Sequence, residues 1–137
     1  MNRRQTLAYL IDTNIAIHIR DGTEAVLDKF VENDGAVMLS ALSWAELQRG
    51  VYKTPSATAL RQVRLRELLD SIPILPFDAA AAEAYGQIIA ACGWVKGRDF
   101  DRMIAAHAMS SGRVLVTDNA ADFRDIAGLR LETWLTR

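Results

Sequence analysis

The chain has 137 residues, half of them hydrophobic and 24% charged, with a formal net charge of −1. That length suits a single domain spanning residues 1–137 around one continuous core, and the near-neutral balance excludes a bulk positive field as the means of attracting nucleic acid. Cys92 stands alone, which excludes an internal disulfide framework and any cysteine-based zinc site.

The first apolar run, Leu7 to Ile11, follows a few basic residues but is too short for a signal peptide and is interrupted by Asp12. It reads as a buried strand that feeds a helix at Asp12-Thr13-Asn14. Asp21-Gly22-Thr23 breaks the chain, and Thr23 suits the cap of a second helix with Leu27, Phe30 and Val31 on one face. Val37 to Leu39 is the next strand, closing at Ser40. Ser43 then opens a helix that stops near Gly50. After Thr54-Pro55-Ser56, residues 57–70 form an amphipathic helix with Leu60, Val63, Leu68 and Leu69 as its stripe. Ile72 to Leu75 is a third strand, and Pro73 and Pro76 place it near a sheet edge or strand end. Asp78 caps an alanine-rich helix ending near Cys92-Gly93. The stretch RDFDRMIAAHAMSSGRVLVTDNAADF, residues 98–123, is a helix delivering the chain into a buried strand, and residues 129–132 alternate as a final short strand. Strands separated by helices predict an α/β sandwich with a mostly parallel sheet. No segment reaches membrane-spanning length, so a cytoplasmic protein with no membrane contact is expected.

In open α/β sheets ligands bind outside the carboxyl ends of the strands, and acids sit where that edge would be. Asp12 follows the first strand and Asp118 the fourth. Asp101 lies in the first turn of the helix before that strand, and Glu46 lies one turn after another strand end. Each also has an ordinary structural reading. Asp12 and Asp99 are good helix N-caps, Ser43-x-x-Glu46 matches a capping box, Asp101 suits the positive end of a helix dipole, and Asp118, Asn119 and Asp122 suit turns. Read together they predict a carboxylate cluster whose mutual repulsion a divalent cation would relieve. Oxygen-only ligands suit Mg²⁺, with Mn²⁺ as a substitute, and such a site can hydrolyse a phosphodiester.

The segments LIDTNIAIH, SALSWAELQRG, GRDFDRMIAAHAM, VLVTDNAADF and GLRLETW resemble, in order and spacing, the PIN-domain ribonucleases of the VapC toxin type. The resemblance implies a PIN-like three-layer α/β/α sandwich and Mg²⁺-dependent RNA cleavage by water, leaving 5′-phosphate ends. It also implies a toxin neutralised by a VapB-like antitoxin, and a homodimer that joins a higher assembly with that antitoxin. Carried over residue by residue, Asp12 and Asp101 match metal ligands, Glu46 matches the second acid, and Asp118 ranks first for the fourth. Asn14, Thr117, Asn119, Asp122 and Asp99 are supporting positions, and Thr13 is a further polar position able to orient a carboxylate.

Two other readings compete. A phosphatase or phosphotransfer protein with an acidic site needs a second Asp two residues after the first, where this chain has Asn14, and the receiver variant needs a late Lys, whereas none follows Lys96. A catalytically silent PIN module would bind RNA or protein without cutting, but the three best-matched acids are all present. His18 and His107 are expected to be structural. Arg49, Lys53, Arg61, Arg64 and Arg66 form either a solvated face or a track for phosphates or a partner.

Overall fold

A computed structural model of the chain describes residues 7–135; the basic residues Arg3 and Arg4 lie outside that range. Five short strands form one sheet: β1 (Tyr9–Ile11), β2 (Val37–Ser40), β3 (Ile74–Leu75), β4 (Val114–Val116) and β5 (Leu131–Glu132). Their order is β3-β2-β1-β4-β5, and each pairing is parallel. The sheet expected to be mostly parallel is therefore parallel throughout the described residues. Parallel neighbours require crossovers. Helices α1 (Thr13–Asp21), α2 (Glu24–Glu32), α3 (Ala41–Tyr52), α4 (Thr58–Leu69), α5 (Ala79–Cys92) and α6 (Asp99–Ser110) lie between successive strands.

Alternation along the central strands separates two cores. Tyr9, Ile11, Leu39 and Val116 face one side, where Ile15, Val26, Leu47, Leu65 and Leu68 of the first four helices pack. Leu10 and Leu115 face the other, against Ile88 of α5 and Ile104, Ala105 and Ala108 of α6. Helices on both faces of the sheet make the three-layer sandwich. The strands are apolar along their length because both faces are covered. β3 is an edge strand, as its prolines suggest, and Pro73 still lends its carbonyl to the Leu39 N–H at 3.0 Å. Among the described residues no helix is long and apolar enough to cross a membrane.

Local expectations fail in three places, each for a physical reason. α3 starts at Ala41, capped by Ser40, whose hydroxyl accepts the Leu42 N–H at 3.1 Å; Ser43 is already helical and buried. Ser40 can cap because it ends a strand in extended conformation. The helix also runs through Gly50 to Tyr52, since one glycine penalises a helix by only about 1 kcal/mol, and the Arg61 guanidinium donates to the Gly50 carbonyl at 2.8 Å. In α4 the buried residues are Leu65 and Leu68, while Leu60 and Val63 are more than half exposed. In α2 Val26 is buried and Val31 points to solvent. A sequence rich in leucine and valine offers several helical stripes, and the position of the neighbouring helices selects one.

Candidate acidic active site

β1 lies at the centre of the sheet, with β2 on one side and β4 on the other. The crevice between the ends of β1 and β4 is thus the topological switch point where ligands are held in such sheets. Asp12 leaves the end of β1 there. Its backbone N–H bonds to the Val116 carbonyl of β4 at 3.1 Å, and its side chain caps α1 by accepting the Ile15 N–H at 3.0 Å. Capping and facing the cleft are compatible, because one carboxylate has acceptor capacity for both.

Glu46 comes from the second turn of α3. No capping box forms; instead the Thr13 hydroxyl, from the start of α1, donates to Glu46 Oε1. Asp101 is in the first turn of α6, where the helix dipole favours an anion. Arg98, and not Asp99, occupies the N-cap position of that helix.

These three acids line one cleft of about 300 Å³. Thr13, Asn14, Thr117 and Asn119 supply its polar wall, and the Thr117 hydroxyl is oriented by the Asn119 N–H at 3.0 Å. Phe100, Ile104 and Phe123 close its apolar side, and Arg49 of α3 stands at it as well. The apolar wall escaped the sequence reading. Phe100 and Ile104 recur at helical spacing beside Asp101, which is a legible signal once Asp101 is known to face a cleft.

The charges perturb one another. Burial, with the charges of Asp118 and Asp101, pushes the Asp12 carboxyl up to about 6 against the opposing hydrogen bonds of Ile15 and Thr117. Asp101 is also raised, by burial first and then by Asp122 and Glu46, with Arg98 and Arg102 pulling the other way.

The remaining candidates separate. Asp118 does not line the cleft. One of its oxygens lies 3.8 Å from Nε2 of His18, and the other is buried without a hydrogen-bond partner. The turn after Thr117 carries the side chain towards α1, so Asp118 reaches the site through its field at Asp12 and not through its surface. Asp99 accepts the Tyr85 hydroxyl, and Asp122 faces Arg98 at 3.9 Å; neither lines the cleft. His18 bonds Thr23 Oγ1 at 2.9 Å. His107 is buried, bonded through Nδ1 to the Ser40 hydroxyl at 2.8 Å and through Nε2 to the Pro76 carbonyl at 2.9 Å. Trp44 packs against the first core and away from the cleft.

Fold and cleft together describe an α/β protein with an acidic site at the switch point of a parallel sheet. A family profile described as PIN domain matches residues 9–129. The tRNA(fMet)-specific endonuclease VapC of Shigella flexneri is 36% identical over 132 residues, covering 93% of this chain and 98% of the relative. Ribonuclease VapC2 of Haemophilus influenzae is 33% identical, covering 94% and 99%. Among solved structures, DNA-bound VapBC from Salmonella typhimurium superposes with a TM-score of 0.85 at 30% identity, over 94% of this chain and 99% of that one. The chain belongs to the PIN-domain ribonucleases of the VapC type.

Proposed function

We propose that this chain is the toxin of a VapBC-type pair and a Mg²⁺-dependent endoribonuclease acting in the cytoplasm. The observation that carries the reading is the convergence of Asp12, Glu46 and Asp101, from three separate elements, on one cleft. Among the described residues no three His, Cys, Asp or Glu side chains are placed to ligate one ion together. Mg²⁺ does not require three, because it keeps several waters and binds through one or two carboxylates. Asp12 and Asp101, each raised by burial and by neighbouring acids, fit that donor set. Bound there, a divalent cation would supply Lewis acidity to a phosphate and to water. Glu46, held by the Thr13 hydroxyl, orients the attacking water, and Asn14 and Asn119 offer polar contacts to the substrate. Water adds to phosphorus and the bond to the 3′ oxygen breaks, leaving 5′-phosphate and 3′-hydroxyl ends.

A VapB-like antitoxin as partner, and a higher assembly with it, are supported by likeness to the toxin–antitoxin complexes from Salmonella and Rickettsia felis. Relatives from Shigella and Salmonella are named tRNA(fMet)-specific endonucleases, which makes tRNA(fMet) the first RNA to test. Purified, antitoxin-free protein is incubated with tRNA(fMet), total tRNA and ribosomal RNA, with Mg²⁺, with Mn²⁺ and with EDTA. Cleavage that needs metal, Asp12 and Asp101 is the expected result. Cutting that persists in EDTA, or in Asp101→Asn protein, would overturn the mechanism.

A further inference from the structure

We infer that Arg49 is the side chain with which this protein grips a phosphate of its RNA substrate beside the acidic cleft, an assignment that rests on the ribonuclease reading. The cleft presents three carboxylates, and among the described residues Arg49 is the single cation in its lining. An incoming phosphodiester is repelled by those acids, so a cation at the rim has a defined use: it offsets the repulsion on the substrate's side of the site.

Arg49 follows Glu46 by three residues in α3, so the two share a helix face. Glu46 is nevertheless taken by the Thr13 hydroxyl, and among the described residues Arg49 makes no ion pair with an acid. Neighbouring arginines are engaged. Arg98 bonds the Asp122 carbonyl and faces its carboxylate, Arg102 pairs with Asp125 at 2.9 Å, Arg61 holds the Gly50 carbonyl, and Arg20 pairs with Asp21. Arg64 and Arg66 are exposed but outside the cleft. A basic residue near the end of a helix can serve the helix dipole alone. That would explain its place in the last turn of α3, but a dipole alone does not account for its standing at the acids of the cleft. Arg49 is exposed, and among the described residues its guanidinium makes no hydrogen bond, so its donors can meet a phosphate with two parallel hydrogen bonds.

The test measures binding and turnover separately. Fluorescein-labelled tRNA(fMet) is titrated by anisotropy with cleavage-deficient Asp101→Asn protein, alone and combined with Arg49→Ala or Arg49→Lys, over a series of salt concentrations. Arg49→Ala is expected to weaken binding about 10-fold and to lower the slope of log affinity against log salt by roughly 0.7–0.9, the signature of one lost phosphate contact. Arg49→Lys should keep the slope and recover part of the affinity. With Asp101 intact, Arg49→Ala should raise KM about 10-fold and leave kcat within about threefold. Wild-type cleavage accompanied by unchanged affinity and slope in Arg49→Ala overturns the assignment alone. Weaker binding at an unchanged slope also overturns it, since the lost contact would not be to a phosphate. A wild-type protein that neither binds nor cuts any of these RNAs overturns the ribonuclease reading and this one together.

Discussion

Asp12 is held in tension between two environments. Its cap on α1 and its bond to β4 pin it in place, while burial and the neighbouring acids disfavour its charge. With a folded pKa of about 6 against an ordinary 3.8, the folded state binds a proton more tightly than the unfolded chain. The protein therefore loses stability as pH rises from about 4 to 6, and the deficit persists above that range. Asp12→Asn keeps a good cap and removes the charge. It should stabilise the metal-free protein by up to about 3 kcal/mol at pH 7, with no gain below pH 4 and a smaller rise in Tm on adding Mg²⁺ than wild type shows. Thermal melts at several pH values check all three. Asp118 differs because its carboxylate faces His18. Asp118→Asn should lower RNA cleavage by no more than about 10-fold where Asp101→Asn lowers it by more than about 100-fold, read in one cleavage assay.

At the level of elements, the two helices that carry Glu46 and Asp101 are tied to each other by a buried polar link. His107 of α6 joins Ser40, the cap of α3, to the Pro76 carbonyl after β3. Nε2 must donate to that carbonyl, so the neutral ring accepts the Ser40 hydroxyl proton at Nδ1. Burial lowers the His107 pKa, so the folded state resists protonation and this link loses its contribution as pH falls below about 6.5. The stability advantage of wild type over His107→Gln, measured by urea unfolding, should be about 1–3 kcal/mol at pH 7.5 and shrink towards pH 5. The register of α4 gives a second check. Leu68→Ala should destabilise by about 2–5 kcal/mol, whereas Leu60→Ala, at a position more than half exposed, should stay within about 0.5 kcal/mol.

The molecule as a whole approaches RNA with a net charge of −1. Attraction must be local, and in the proposal above it falls to Arg49, since the acids of the cleft repel a phosphate until a cation offsets them. The expected homodimer belongs to this scale too. Sedimentation velocity at micromolar concentration should show a species of twice the chain mass, and a monomer alone would refute it.

Periodicity made the parallel sandwich legible, because strands buried on both faces read as short apolar runs and crossover helices as longer periodic ones. Asp12, Glu46 and Asp101 were legible as an ordered set and not singly, since each alone suits a helix cap, a capping box or a helix dipole. Their meeting was not contained in any one segment. It depends on the order β3-β2-β1-β4-β5, which sets the ends of β1 and β4 side by side and lets α3 and α6 converge on them. The same packing turned Asp118 towards His18, gave Glu46 to Thr13 in place of a capping box, and chose Leu65 and Leu68 over Leu60 and Val63. Side-chain direction at a turn and the buried stripe of a leucine-rich helix are set by what packs against them, so the tertiary structure alone decides both.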